Sequence, residues 1–353
     1  MSRVRVAVVF GGKSVEREVS RISARTIAGS LDPAKYEVIP IAVTESGRFL
    51  PPSESGALLS AGTVPARFRA AGGDGTALVP AEIAPGRVDV VFPIIHGTTG
   101  EDGALQGFLE TLGVPYVGAG VTASAVGMDK AIFKALLRDA GVPTPRGVTL
   151  SRPEDAALAE ALPLPVFVKP ANGGSSVGVT KVKRAGDLAA AVELAFRYDE
   201  RVLVEEGIDA RELECAVLGN GEPRASIPGE IVPGHEFYDY DDKYRDDKAK
   251  LLIPADVSPA VAATARRLAV EVFRLCGVSG MARVDFFLER GTDRVLVNEI
   301  NTLPSFTAIS MYPKLWEASG LALPRLLDEL IRLALERHER RSRLLTKPPA
   351  ELA

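Results

Sequence analysis

The sequence predicts an α/β fold that opens on a parallel-sheet domain and continues in α+β units, and three observations carry that expectation. At 353 residues the chain is long for one hydrophobic core and suggests two or three domains. Near its start, "VRVAVVF" (Val4 to Phe10) is a β-branched run closed by Gly11 and Gly12. A polar helical stretch and a second strand follow, a strand–helix–strand order that implies parallel pairing. Beyond Thr149 short strands recur, alternating with helices and loops.

In order, "VRVAVVF" leads to the helix "SVEREVSRISARTIAGSL" and the strand "YEVIPIAV". The stretch from Pro51 to Arg87 is rich in Gly, Pro and Ala and reads as irregular connection. "DVVFPII" is a buried strand, "HGTTGEDG" a loop, "ALQGFLETLG" a helix and "VPYVG" another edge of sheet, so a first domain is expected over 1–120. "SAVGMDKAIFKALLRDAG" reads as one helix stopped by Gly141 and Pro143. A second domain over 121–208 then runs strand, helix, "PVFVKP", a glycine loop, "VGVTKV", the helix "AGDLAAAVELAFRY" and "RVLVEEGI". A third, over 209–345, holds "LECAVLG", "ARVDFFLE" and "RVLVNEIN" with the helix "PAVAATARRLAVEVFRLCG" and a C-terminal helix. Inside it "HEFYDYDDKYRDDKAK" lacks amphipathic period and reads as a long mobile loop over 236–250, of a kind that is usually functional or disordered.

Composition narrows the partners. With 46% apolar and 25% charged residues, a net charge of −4 and a pI near 5.7, the chain has no basic nucleic-acid footprint, so its partner is expected to be small. Two cysteines, Cys215 and Cys276, build neither a disulfide framework nor a thiolate zinc site. No apolar run has the length of a signal peptide or a membrane span, and the expected location is cytoplasmic.

Three groups of residues could carry chemistry. The first is "VKPANGGSSVGVTKV" (Val168 to Val182), where a glycine loop joins two strands and Lys169 precedes it. A Walker cradle needs its lysine after the glycines and a helix beyond them. A Gly-Gly-Ser-Ser hairpin can still turn N–H groups and hydroxyls toward phosphate, though most such hairpins are plain turns. In the second, Asp285 on one strand faces Glu299 and Asn301, two apart on the next. Such an oxygen-only set suits magnesium; the competing reading is three polar residues on a solvated hairpin face. Arg283, two before Asp285, shares that face and could stabilise developing negative charge, or pair with Glu289 on the surface. The third group lies at the N-terminal loops. Glu16 stands in the first turn of a helix, where an acid complements the dipole or could take an ammonium. His96 follows a buried strand, where open α/β sheets place ligands and where plain turn histidines also occur.

Taken together, "VFGGKSVEREVS", "HGTTGEDG", "MDK", "VKPANGGSSVGV", "VEEGIDARELECAVLG", "FYDYDDKY", "ARVDFF" and "VNEINTLPSFTAISMYPKLWEASG" resemble the D-alanine:D-alanine ligases of the ATP-grasp family, in order and across nearly the whole chain. The resemblance implies a three-domain ATP-grasp fold holding ATP between two antiparallel sheets. It places Lys130 and Lys169 at the ATP phosphates under the flap Gly173, Gly174, Ser175, Ser176 and Val177. By the same resemblance the backbone around Glu205, Glu206 and Ile208 reads adenine, and Glu212 holds the ribose. Asp285, Glu299 and Asn301 match the ligands of two magnesium ions, with manganese as a substitute and a monovalent cation as an optional assistant. Glu16 and Arg283 match the groups at the ammonium and carboxyl of the first D-alanine, with His96 beside them. Lys243, Ser310 and Met311 match those at the second. Tyr244, Ser175 and Glu16 correspond to a triad that closes the mobile loop, and the family suggests a homodimer. One departure stands out: Ser305 replaces the family's usual glycine after "NTLP", which keeps the N–H of an oxyanion hole but gives up glycine's conformational freedom.

The implied activity is ATP-dependent joining of two D-alanines through a D-alanyl phosphate, for peptidoglycan, with D-lactate or D-serine as alternative acceptors. Tyr244 argues against D-lactate, whose ligases carry a different lid. A dinucleotide oxidoreductase is disfavoured because "FGGKSVE" lacks G-x-G-x-x-G, and a non-catalytic nucleotide-binding module would not need its carboxylates.

Overall fold

The computed structural model describes residues 2–61, 81–233 and 250–345. Along the chain the elements are β1 (Val4–Gly11), α1 (Arg17–Ser30), β2 (Tyr36–Val43), α2 (Pro52–Ser60), β3 (Val90–Pro93), α3 (Ala104–Leu112), α4 (Val121–Met128), α5 (Lys130–Asp139) and β4 (Gly147–Leu150). There follow β5 (Val166–Pro170), β6 (Thr180–Val182), α6 (Leu188–Ala195), β7 (Val202–Glu206), β8 (Ala210–Gly219), β9 (Arg224–Ala225) and β10 (Gly229–Val232). The last are β11 (Lys250–Leu252), α7 (Pro259–Leu275), β12 (Gly280–Glu289), β13 (Val295–Asn301), α8 (Met311–Ala318) and α9 (Leu323–Ser342). None of the described helices is long and apolar enough to cross a membrane.

The strands form three sheets. The first is parallel, in the order β2-β1-β3. The second is antiparallel, β4-β7-β5-β6, and the third runs β11-β10-β8-β12-β13 with β9 on β8. Alternation along β1 splits its side chains between two cores: Val6, Val8 and Phe10 pack with Leu326, Leu327 and Leu330 of α9, whereas Ala7 and Val9 pack with Leu105 and Leu109 of α3. The C-terminal helix thus covers the N-terminal sheet. Arg337 fastens it there, stacked 4.2 Å from the Tyr116 ring and donating to the carbonyls of Gly118 (2.5 Å) and Tyr116 (3.2 Å).

Several local readings change. The run expected as one helix after Ser124 is two, because Asp129 leaves the helical region (ψ 95°) and its carboxylate accepts the N–H of Ile132, which caps α5. The helix expected between β4 and β5 is a 3-10 segment, Pro153–Ala159. "VPYVG" contributes one bridge, Tyr116 to Val91, rather than a strand. Within the stretch expected to be irregular, α2 forms, and its buried Ser55 accepts the Ala42 N–H (2.9 Å) and donates to the Leu50 carbonyl (3.0 Å).

The third sheet positions the chemistry. Its lower face packs Leu213, Cys215, Val217, Ala282, Val284 and Phe286 on α7. Period-two alternation therefore turns Glu212, Glu214, Arg283 and Asp285 to the opposite face. On β13, Val295 and Val297 point into the core, so simple alternation would bury Glu299 as well. A bulge prevents it: Asp285 pairs with Glu299 but Phe286 with Val297, leaving Asn298 over. The extra residue re-aims the strand, so Ile300 joins the core and Glu299 and Asn301 join the polar face.

Candidate active site

Two adjoining cavities, of about 580 and 520 Å³, meet at Lys130, Arg283, Glu299 and the glycine loop. The first lies between the two antiparallel sheets. Lys130, Lys169, the flap residues Gly173, Gly174, Ser175, Ser176 and Val177, the stretch Glu205, Glu206 and Ile208, and Glu212, Asp285 and Glu299 all line it, with Phe167 and Phe287 supplying an apolar end. Glu16, His96, Arg283, Asn301, Ser305, Ser310 and Met311 line the second, beside the N-terminal sheet. Lys243, Tyr244 and all but the last residue of the expected lid 236–250 lie outside the described residues.

Between the cavities the polar face carries three carboxylates in a row across three strands, since Glu214 pairs with Asp285 and Asp285 with Glu299. Arg283 grips Asp285 with two hydrogen bonds of 2.7 Å and lies 2.9 Å from Glu214. Burial alone would lower the guanidinium's pKa, but Asp285 and Glu214 outweigh it and hold it well above its usual value. The expected surface partner, Glu289, instead meets Arg294 at 3.6 Å. As a magnesium site the row has the right donor chemistry: oxygens only, facing one another across adjacent strands, with Asn301 next along the same face. Asp285 is held by Arg283, and among the described residues no three such side chains already stand close enough to grip an ion. The residues fit the group in kind and register, and the Asp285 carboxylate would have to share itself.

The glycine loop folds back as a flap over this junction. Lys130 donates to the Gly173 carbonyl at 2.6 Å, and Ser175 donates to Glu16 at 2.6 Å. Ser175 and Ser176 both take left-handed φ, 51° and 59°, a conformation that costs an L-residue about 1–2 kcal/mol and so needs contacts to hold it. Burial depresses Lys130 below the ordinary lysine range, with Glu299 opposing the shift. Glu205 is buried between Lys134 (3.0 Å) and Lys169 (2.5 Å). Burial pushes its carboxyl up, but the two ammonium groups outweigh it and the net shift is down.

In the second cavity the "HGTTGEDG" loop brings His96 and Glu101 beside Glu16. Glu101 accepts the Gly97 N–H at 2.8 Å, while burial and then the Glu16 charge push its carboxyl up to about 8. His96 is buried with no hydrogen-bond partner at Nε2 among the described residues, and burial lowers its pKa. Ser310 Oγ accepts the Thr307 N–H (2.8 Å) and shares hydrogen bonds with the hydroxyls of Thr307 (2.8 Å) and Ser305 (2.7 Å). Ser305 keeps a negative φ, because only Thr99, Ser175 and Ser176 among the described non-glycine residues have positive ones. Serine therefore strains nothing at this position. Ser305→Gly is expected to leave kcat within about threefold, measured as phosphate release at saturating substrates; a sharp rise would show strain after all.

Sequence reasoning missed Glu214, Glu101 and Lys134. The first had a signal, since Glu212 and Glu214 in "ELECAVLG" alternate with core residues. The other two had none, because the charges they meet come from distant parts of the chain.

The chain matches the family model described as D-ala D-ala ligase N-terminus over residues 5–119 and that described as D-ala D-ala ligase C-terminus over 136–332. It is 48% identical to the D-alanine--D-alanine ligase of Solibacter usitatus over 96% of this chain and 98% of that one. The D-alanine-D-alanine ligase of Coxiella burnetii superposes with a TM-score of 0.85 at 41% identity, covering 97% of each chain. The VanG D-Ala:D-Ser ligase of Enterococcus faecalis follows at 0.82 and 36%, covering 94% of this chain and 100% of that one.

Proposed function

This chain belongs to the D-alanine:D-alanine ligase family, with the ATP-grasp fold, and from that premise we propose that it joins two D-alanines into D-alanyl-D-alanine at the expense of ATP, for peptidoglycan. The observation that carries the reading is Arg283 standing where the two cavities meet, on the same sheet face as three acids. D-Lactate and D-serine acceptors are not favoured, given 48% identity to a D-alanine ligase against 36% to a D-alanine:D-serine ligase.

A carboxylate is a poor acyl donor, so the first D-alanine's carboxyl takes the terminal phosphoryl of ATP and ADP leaves. The second D-alanine's amine then attacks the acyl carbon of the D-alanyl phosphate, losing a proton, and phosphate departs. In this reading the adenine lies in the apolar end by Phe167, against the backbone of Glu205, Glu206 and Ile208, with its ribose at Glu212. Lys130 and Lys169 draw the phosphates under the flap of Gly173, Gly174, Ser175, Ser176 and Val177. Magnesium, held by Asp285, Glu299 and Asn301, with manganese as an alternative, would neutralise the transferring phosphoryl group.

Glu16 receives the first ammonium with His96 nearby, and Arg283 with the Ser305 N–H stabilises the oxyanion, each donor being worth about 3 kcal/mol. Ser310 and Met311 hold the second D-alanine, together with Lys243, and Tyr244 closes the site with Ser175 and Glu16. Closure keeps water from the acyl phosphate. Domains over 1–120, 121–208 and 209–345, two magnesium ions, assistance from a monovalent cation, a homodimer and a cytoplasmic location complete the proposal. The test is phosphate release from ATP by the purified chain against a panel of D-amino and D-hydroxy acids. Release with D-alanine and a dipeptide product supports it, and silence with D-alanine rejects it.

A further inference from the structure

Lys134 takes no part in the chemistry above, yet it is one of the most deeply buried charges in the chain, 1% exposed at its side chain. It leaves α5 and hydrogen-bonds the Thr144 hydroxyl (2.8 Å) and the Val297 carbonyl of β13 (3.2 Å). Its ammonium then lies 3.0 Å from Glu205 Oε1 on β7. Lys134 thus bridges the two antiparallel sheets, β13 on one side and β7 on the other. On the other side of the same carboxylate Lys169, 14% exposed, closes to 2.5 Å from Oε2 and faces the first cavity.

Two cations share one buried anion. In a low-dielectric site a one-to-one lysine–glutamate pair is hard to separate, because parting leaves a bare carboxylate behind. With Lys134 fixed behind it, Glu205 stays neutralised when Lys169 leaves, and the cluster carries one positive charge in surplus. We propose that Lys134 is a positioning residue that neutralises Glu205 from the interior and so frees Lys169 to turn from Glu205 to the nucleotide phosphates.

The inference rests on the reading that Lys169 meets ATP. Steady-state rates of the full chain, with ATP varied at saturating D-alanine, test it. Lys134→Met is expected to raise the KM for ATP about tenfold or more, with kcat changed by less than about threefold and no change in the KM for D-alanine. Adding Glu205→Gln to Lys134→Met removes the carboxylate that would trap Lys169, and should return the KM for ATP to within about threefold of the parent. Because Glu205→Gln would also relieve a buried charge left bare by Lys134→Met, denaturant melts of both variants are read alongside. A purely structural role would move stability and the KM for D-alanine together with the KM for ATP, whereas the positioning role moves the KM for ATP alone. Lys134→Arg retains the charge and should retain the affinity. Should Lys134→Met fail to fold, Lys134→Gln is scored in the same way, with ATP binding measured at equilibrium without D-alanine. An unchanged KM in the single variant, or no rescue in the double, overturns the inference. If instead the unaltered chain binds ATP no better than Lys169→Met does, it is the reading of Lys169 that fails.

Discussion

Arg283→Met should lower turnover about a thousandfold while the protein still binds ATP. A donor aimed at developing charge is worth about 10²–10³ in rate, and Arg283 stands with Lys130 where the two cavities join. Stability should fall with it. Removing the guanidinium leaves Asp285 and Glu214, both buried, side by side without their shared counter-ion, a loss of about 3–5 kcal/mol. Phosphate release and denaturant melts read the two effects separately. Arg283→Lys divides them further: it returns a charge between the acids but not the two-pronged grip on Asp285, so stability should recover more than turnover does. Equal recovery of both would assign Arg283 a structural role alone.

Gly100→Ala is the second large effect, and it acts through the loop rather than through a reacting group. A Cβ at this position would lie 2.1 Å from the Ile95 carbonyl oxygen and 2.5 Å from Ile95 Cγ2. Neither atom can retreat, because Ile95 is buried and the loop is pinned on both sides. Gly100 N–H donates to the Gly97 carbonyl (3.2 Å), and Gln106 donates to the Gly100 carbonyl (2.9 Å). The loop must open, carrying Glu101 and His96 away from Glu16. The KM for the first D-alanine should rise at least about tenfold, with a stability loss of about 1–3 kcal/mol and an unchanged KM for ATP. D-Alanine titrations at saturating ATP, followed by the reciprocal experiment, would show it. A matching rise in both constants would mean that the damage spreads beyond this loop.

The parallel opening sheet was legible because β1 and β2 are short β-branched runs around a helix, a pattern that sequence alone carries. The face bearing Arg283, Asp285, Glu299 and Asn301 was legible in part. Spacing of two placed each pair together, but the bulge at Asn298 that turns Glu299 out of the core depends on register, which no residue announces. The break at Asp129 was readable in principle as a capping residue before a helix, yet the apolar run on either side of it masked the stop. Glu101 and Lys134 could not be read at all. Each matters through charges brought from elements more than sixty residues away or from another sheet, and such convergence is a property of packing. The capping of the first sheet by α9 was equally hidden, since an amphipathic helix does not name the surface it covers.

The hydrogen bond from Ser175 to Glu16 joins the flap over one cavity to the floor of the other. Ligands that both bear on that bond cannot bind independently. If ATP, by drawing the flap down, alters the affinity of the first D-alanine by some factor, then D-alanine must alter the affinity of ATP by that same factor. One coupling free energy, carried through a single serine hydroxyl, would then fix how strongly each substrate recruits the other and how seldom the enzyme holds either one alone.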